Sequence, residues 1–91
     1  MEQKLTDEQL INNATKRAAE ELGVGFSLIE DKLEFIRFYE NLMRLVGNDV
    51  ELARHWVYTG NKHLRFTPII RVHSSYYLNK INQYLESCSQ H

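Results

Sequence analysis

The chain has 91 residues, of which 43% are hydrophobic and 11% aromatic, a composition that predicts one small folded unit and excludes a disordered chain. Eleven basic and twelve acidic residues give a formal net charge of -1, so the chain as a whole does not attract a polyanion such as DNA. No long apolar run or signal-peptide-like start is present, and one cysteine allows no internal disulfide. We therefore expect a cytoplasmic protein without a membrane segment.

The first predicted helix begins with a capping box. Thr6 fits the N-cap position, and Gln9 fits the position whose side chain bonds back to the N-cap backbone. Leu5 and Leu10 fit a hydrophobic staple. An apolar stripe follows, and Gly23 provides a stop. The pattern predicts a helix ending at Gly23 whose buried residues recur every four positions, namely Leu10, Ala14, Ala18 and Leu22.

A second helix is predicted from about Leu28 to Val46, because Ser27 and Glu30 make another capping-box pattern after the turn Gly23-Val24-Gly25. Its middle is apolar around most of the circumference, which suits a helix covered by neighbours or by a second subunit. A chain this short has little surface with which to cover it. These features predict a homodimer whose seam contains Phe35, Phe38 and Leu42.

Three further helices are predicted after Gly47. Asn48 and Glu51 indicate the start of a helix of about ten residues, and Thr67 with Pro68 indicates a short helix through Val72. Ser74 or Ser75 then caps a last helix. Its apolar positions are Tyr77, Leu78, Ile81, Tyr84 and Leu85. No segment alternates with period two, so the expected fold is all-α, a small bundle of about five helices.

The residues able to perform acid, base or metal chemistry form no recognisable constellation. The spacings of the four histidines do not place two on adjacent turns of one helix, and Cys88 has no partner in the sequence pattern. We expect solvated histidines, an inert thiol near the end of a helix, no metal, no cofactor and no enzymatic activity. The histidines are His55, His63, His73 and His91.

The C-terminal third is locally basic and aromatic. Between Lys62 and Lys80 there are four Lys and Arg residues and no carboxylate. Aromatic and cationic residues together are typical of single-strand nucleic-acid platforms and also of protein interfaces, where Tyr and Arg are enriched. The slightly negative net charge favours a protein partner. Two residues keep two interpretations each: Trp56 is a core anchor or a stacking platform, and Asn61 has a local backbone role or contacts a partner.

The stretch from Trp56 to Pro68 resembles the core motif of the toxin-binding domain of the Xre/MbcA/ParS antitoxin family. That motif reads Trp-hydrophobic-x-Thr-x-Asn-x-x-Leu, then a short loop and Thr-Pro. The matching residues here are Trp56, Val57, Thr59, Asn61, Leu64, Thr67 and Pro68. The resemblance extends from about Leu33 to Glu86. Where the family commonly carries glycines before Thr-Pro, this chain has Leu64, Arg65 and Phe66, which make a bulkier loop.

The resemblance implies a non-enzymatic module that binds and neutralises a RES-domain toxin, an enzyme that consumes NAD. It divides the chain into residues 1–24, a remnant of a DNA-binding region or a dimerisation arm, and residues 25–91, a toxin-binding-like helical domain. The first part is too short for a complete helix-turn-helix, so DNA binding by the chain alone is not expected. The alternative function is a homodimeric assembly protein that has kept the domain without a toxin. The partner-binding residues are expected to be Asn61, Lys62, His63, Arg65, Phe66, Tyr77, Lys80 and Tyr84.

Overall fold

The computed structural model describes residues 6–88, which form five α-helices and one 3-10 turn. The helices are α1 (Asp7–Leu22), α2 (Lys32–Leu45), α3 (Val50–Tyr58), α4 (Pro68–Arg71) and α5 (Ser75–Cys88), and the turn is Phe26–Leu28. Over this range the only β pairing is an isolated bridge between Asn61 and Phe66. The predicted all-α fold is confirmed. None of the described helices is long and apolar enough to cross a membrane.

Helix α1 has the predicted ends but a different buried face. Thr6 and Gln9 form the capping box, and Gly23 ends the helix in the left-handed conformation. Leu5, the other half of the predicted staple, lies outside the described residues. The prediction was wrong in the first half of the helix, where Leu10 is 51% exposed and Ala14 is also exposed. The buried residues are Thr15, Ala18, Ala19 and Leu22.

Thr15 explains the shift of this face. Its hydroxyl donates a hydrogen bond to the carbonyl oxygen of Ile11 at 2.7 Å, so the only polar group of the side chain is satisfied within the helix. A threonine bonded in this way packs like a small apolar residue. A search for hydrophobic periodicity misses it, because threonine is counted as polar. The spacing from Thr15 through Ala18 to Leu22 follows the 3.6-residue period of one helix face.

Helix α2 begins four residues later than predicted. Asp31 is its cap, with a side-chain oxygen that accepts from the backbone N–H of Glu34 at 3.0 Å. Glu30, the predicted partner of Ser27, is held elsewhere: its N–H donates to the carbonyl of His73 and its carboxylate accepts from the N–H of Ser75. The predicted Ser27 box was therefore wrong, because tertiary hydrogen bonds hold the segment before Asp31 against the start of α5.

Three helices run in the same direction. Hydrogen bonds join Asn12 to Lys32 near the starts of α1 and α2, and Glu21 to Tyr39 farther along both. Pairings of α2 with α5 advance in the same sense, from Glu34 and Asn82 to Arg37 and Glu86. Residues 23–31 return the chain to the start of α2, since parallel helices cannot be joined by a tight turn.

The core lies between these helices and includes side chains from α1, α2, α3 and α5. Phe35, Phe38 and Leu42 are 0% exposed in the single chain. The predicted dimer seam was therefore wrong, because neighbouring helices already cover the residues assigned to it. Residues of both predicted segments, 1–24 and 25–91, contribute to the same core cluster.

Side chains of α3 bind the free carbonyl groups at the C-terminal end of α1. Guanidinium nitrogens of Arg54 donate to the carbonyl oxygens of Glu20 and Glu21, and the hydroxyl of Tyr58 donates to the carbonyl of Gly23 at 2.5 Å. The last carbonyls of a helix have no partner within the helix and carry partial negative charge. α1 has no basic residue in its own last turn, so α3 supplies the missing cation.

A polar network joins α2 to α5 inside the bundle. The amide nitrogen of Asn82, a residue with 0% exposure, donates to the carboxylate of Glu34 at 2.9 Å and to its backbone carbonyl at 3.1 Å. Its amide oxygen accepts from Asn41, which also donates to Glu86. The guanidinium nitrogen Nη2 of Arg37 donates to the carboxylate oxygen Oε1 of Glu86 at 2.5 Å. Hydrogen bonding to Arg37 lowers the pKa of the Glu86 carboxyl.

Tyr39 makes the stability pH-dependent in alkaline solution. Burial, assisted by its hydrogen bond to the Glu21 carboxylate, raises the pKa of Tyr39 from 10 to about 12. The folded state holds this proton more tightly than the unfolded state, so the stabilisation is complete below pH 10 and is lost as pH rises towards 12.

We expect Tyr39→Phe to weaken this pH dependence. In chemical denaturation at a series of pH values, the free energy of unfolding of the variant should fall less steeply above pH 10 than that of the parent. Tyr84, whose pKa burial also raises, is present in both proteins and makes the same contribution to each. Identical slopes for the two proteins would show that Tyr39 does not hold its proton through this contact.

Candidate partner-binding surface

Trp56, the tryptophan of the Trp-to-Pro stretch, lies on α3 and packs against the core. Trp56 is half-buried, and its ring centroid lies 6.2 Å from that of Phe38. This position supports the core-anchor interpretation of Trp56. The helix ends at Tyr58, and the hydroxyl of Thr59 donates to the carbonyl of His55 at 2.5 Å. The motif thus anchors the end of α3 and sets the direction in which the next loop leaves.

The loop from Gly60 to Thr67 is closed by Asn61. Its side-chain oxygen accepts from the N–H groups of His63 and Leu64 at 2.9 and 3.0 Å, and its backbone oxygen accepts from the N–H of Arg65 at 2.7 Å. Asn61 therefore has a local backbone role, in which its side-chain oxygen accepts N–H groups of the loop. Asn61 does not adopt the left-handed conformation; Arg65 does, with a φ of 67°. The left-handed position therefore falls within the bulky segment Leu64-Arg65-Phe66.

Two side chains anchor this loop to the bundle. Leu64 and Phe66 are half-buried and pack against the core cluster, while Lys62, His63 and Arg65 between and beside them are exposed. Pro68 is buried as the first residue of α4, with Thr67 at the cap position but without a side-chain capping bond. A depression of about 290 Å³ lies beside Phe66, with Lys62 and Arg65 in its lining. The loop is a braced structure that presents cations.

Helix α5 lies against the loop at two points. The ring of His63 stacks on that of Tyr84 at 5.5 Å, and the ring of Phe66 meets the edge of Tyr77 at 5.6 Å. Tyr84 also forms a hydrogen bond with Asn61, which acts against the rise that burial causes in its pKa. The structure therefore brings the loop and helix residues that were predicted to bind a partner onto one continuous surface, which we call the loop–α5 face. Its predicted members are Asn61, Lys62, His63, Arg65, Phe66, Tyr77, Lys80 and Tyr84.

Two further residues belong to this face and were not among the predicted contacts. The guanidinium of Arg71 lies 4.6 Å from the ring centroid of Tyr77, and the ammonium of Lys80 lies 5.0 Å from that of Tyr76. The rings of Tyr76 and Tyr77 are themselves 5.1 Å apart. Cation–π contacts hold these charges over aromatic rings without neutralising them. The spacing of Tyr76 and Lys80, one helical turn apart, is the sequence signal that could have identified Tyr76 as a member of this face.

The remaining acid–base and thiol residues are distributed over the fold. His55 and His63 are exposed as expected, whereas His91 lies outside the described residues. His73 was predicted to be solvated, but it is half-buried and its Nε2 is covered and without a hydrogen bond. Its position between α4 and α5 explains the difference. Cys88 is half-buried at the end of α5, as predicted. Within residues 6–88 no three His, Cys, Asp or Glu side chains are grouped as metal ligands would be.

No protein-family model matches the chain, and no curated protein matches it.

Proposed function

We propose that the chain is a non-enzymatic binding module of the antitoxin type, which binds and neutralises a RES-domain toxin that consumes NAD. The observation that carries the proposal is the loop–α5 face. It combines a braced loop, exposed cations and aromatic rings on one surface, and the loop is built from the residues that resemble the antitoxin motif. Aromatic residues and arginine are the usual energetic centres of protein interfaces.

The charge of this face predicts a partner whose contact surface is acidic. Arg65, Arg71 and Lys80 lie on it, and the sequence from Lys62 to Lys80 contains no carboxylate. An NAD-consuming pocket receives an anionic dinucleotide. The aromatic rings would cover the mouth of that pocket and block the substrate's path, while the cations would bind carboxylates beside it. Neutralisation then requires only binding, with no chemistry performed by the module.

The experiment is co-purification with a RES-domain enzyme, followed by measurement of its NAD consumption. We expect the parent chain to inhibit the enzyme. Arg65→Glu combined with Lys80→Glu should weaken binding by at least about tenfold, because both charges would oppose the surface that they now attract. The helical circular dichroism should stay unchanged, since both side chains are exposed. Raising salt from about 50 to about 500 mM should weaken the parent complex in the same direction.

Two control variants separate charge from other effects. Arg65→Lys with Lys80→Arg keeps both charges and should bind like the parent. Lys16→Glu reverses a charge on α1, which is not part of the loop–α5 face, so this variant should bind the RES-domain enzyme like the parent. If the parent chain fails to bind or inhibit a RES-domain enzyme, the antitoxin function is wrong. If it inhibits and the double reversal binds equally well, the function holds but the loop–α5 face is not the contact.

The second candidate function is a homodimeric assembly protein that has kept the domain without a toxin. We propose self-association under either function. A groove between α1 and α2 that carries both signs of charge favours this proposal, because two copies of one surface attract each other only when that surface is self-complementary.

A further inference from the structure

A groove of about 380 Å³ runs between the parallel helices α1 and α2. Small or apolar side chains from both helices line it, among them Ala14, Ala18 and Ile36, and Tyr39 is half-buried at its side. A second depression, of about 480 Å³, shares Tyr39 and continues along α2 past Met43. The groove lies on elements other than the loop and α5, so the function proposed for the loop–α5 face does not use it.

Opposite charges lie on the two walls of this groove. Arg17 is on α1 and Glu40 is on α2, and both line the groove. Both side chains are exposed, and neither takes part in an ion pair within residues 6–88. Glu21, also on the α1 wall, accepts the hydroxyl hydrogen of Tyr39. The groove therefore carries both signs of charge: one cation, Arg17, and two carboxylates, Glu21 and Glu40, of which Glu40 lies on the wall opposite Arg17.

This charge pattern selects a second copy of the chain as the occupant. In a twofold contact the same patch meets itself, so that a residue i of one copy touches a residue j of the other and the reverse is also true. Such a patch must carry both signs of charge to attract itself. The loop–α5 face has only cations between Lys62 and Lys80 and would repel its own copy. The small, exposed side chain of Ala14 allows a helix to approach closely.

We propose that two copies of the chain associate through the α1–α2 groove about a twofold axis, with Arg17 of each copy facing Glu40 of the other. The inference rests on the self-association proposed above and replaces the seam that the buried Phe35, Phe38 and Leu42 cannot form. It leaves the loop–α5 face of both copies open, so the dimer presents two equivalent partner-binding surfaces.

The test is a charge-swap series measured by sedimentation velocity and light scattering from about 10 to about 500 µM. We expect the parent to be a dimer at the upper end of this range. Arg17→Glu alone and Glu40→Arg alone should each place like charges at both contacts and raise the dissociation constant at least about tenfold. Arg17→Glu combined with Glu40→Arg should restore the dimer, because it re-creates the opposite-charge contact with the signs exchanged.

Lys80→Glu, which lies outside the groove, is the matched charge control and should dimerise like the parent. Circular dichroism checks folding, and Arg17→Ala with Glu40→Ala provides a milder pair if a reversal unfolds the chain. A monomeric parent at about 500 µM overturns self-association, and a dimeric parent whose single variants and double swap all dimerise equally overturns the seam. Inhibition of the RES-domain enzyme is a separate measurement, so the failure of either proposal is distinguishable from failure of the other.

Discussion

Phe38→Ala is expected to lower the free energy of unfolding by about 3 to 5 kcal/mol, the usual loss when a buried aromatic ring is truncated. Phe38 is 0% exposed, and its ring centroid lies 5.6 Å from that of Phe35 and 6.2 Å from that of Trp56. Its removal leaves a cavity where α2 meets α3. For a chain of this size the loss is a large part of the whole stability.

Thermal and urea unfolding followed by far-ultraviolet circular dichroism measure this effect. A loss of this size lowers the melting temperature by about 15 °C or more. Leu33→Ala is the control: it truncates another apolar residue of α2, but Leu33 is 63% exposed and the change should be smaller than about 1 kcal/mol. A Phe38→Ala protein that melts within a few degrees of the parent and becomes monomeric would return Phe38 to the dimer seam.

Asn82→Asp is expected to destabilise the fold by about 3 to 5 kcal/mol at neutral pH, as does an uncompensated buried charge. The substitution keeps the size of the side chain but removes the two amide hydrogens that Glu34 accepts. It also places a second carboxylate beside that of Glu34. Burial and the like charge would raise the pKa of the introduced carboxyl, so the deficit should shrink as pH falls and the group takes up a proton.

Asn79→Asp tests whether this effect comes from the buried network. Asn79 lies one turn earlier on the same helix, is exposed, and accepts a hydrogen bond from Gln83 that an aspartate can also accept. We expect it to change the free energy of unfolding by less than about 0.5 kcal/mol. Equal destabilisation by the two variants, or a deficit at position 82 that does not change with pH, would contradict the assigned role of Asn82.

The candidate surface was largely predictable because its residues are close in sequence. The loop from Asn61 to Phe66 and the last helix both appear in the aromatic and basic pattern of the C-terminal third. What the pattern did not provide was the contacts between them. The stacking of His63 on Tyr84 and the meeting of Phe66 with Tyr77 depend on how α5 returns to the loop, and that return is set by packing against α2.

Local sequence determined the helix ends wherever the groups that bind those ends lie nearby in sequence. Thr6 with Gln9, Gly23 at the end of α1, and Pro68 at the start of α4 need only groups within a turn of themselves. The start of α2 was different. Ser27 and Glu30 have the residue types of a capping box, but His73 and Ser75 bind Glu30, and both are more than forty positions away.

The sequence by itself determined the fold class, the helix count and most residues of the loop–α5 face, because these follow from periodicity, capping and composition within short windows. Only the tertiary structure decided which faces are buried. It buried Thr15 against the core, enclosed Asn82 in a hydrogen-bond network, and covered Phe38 with neighbouring helices of the same chain. Burial depends on groups distant in sequence that reach the same place in space, and a pattern read along one helix contains no record of them.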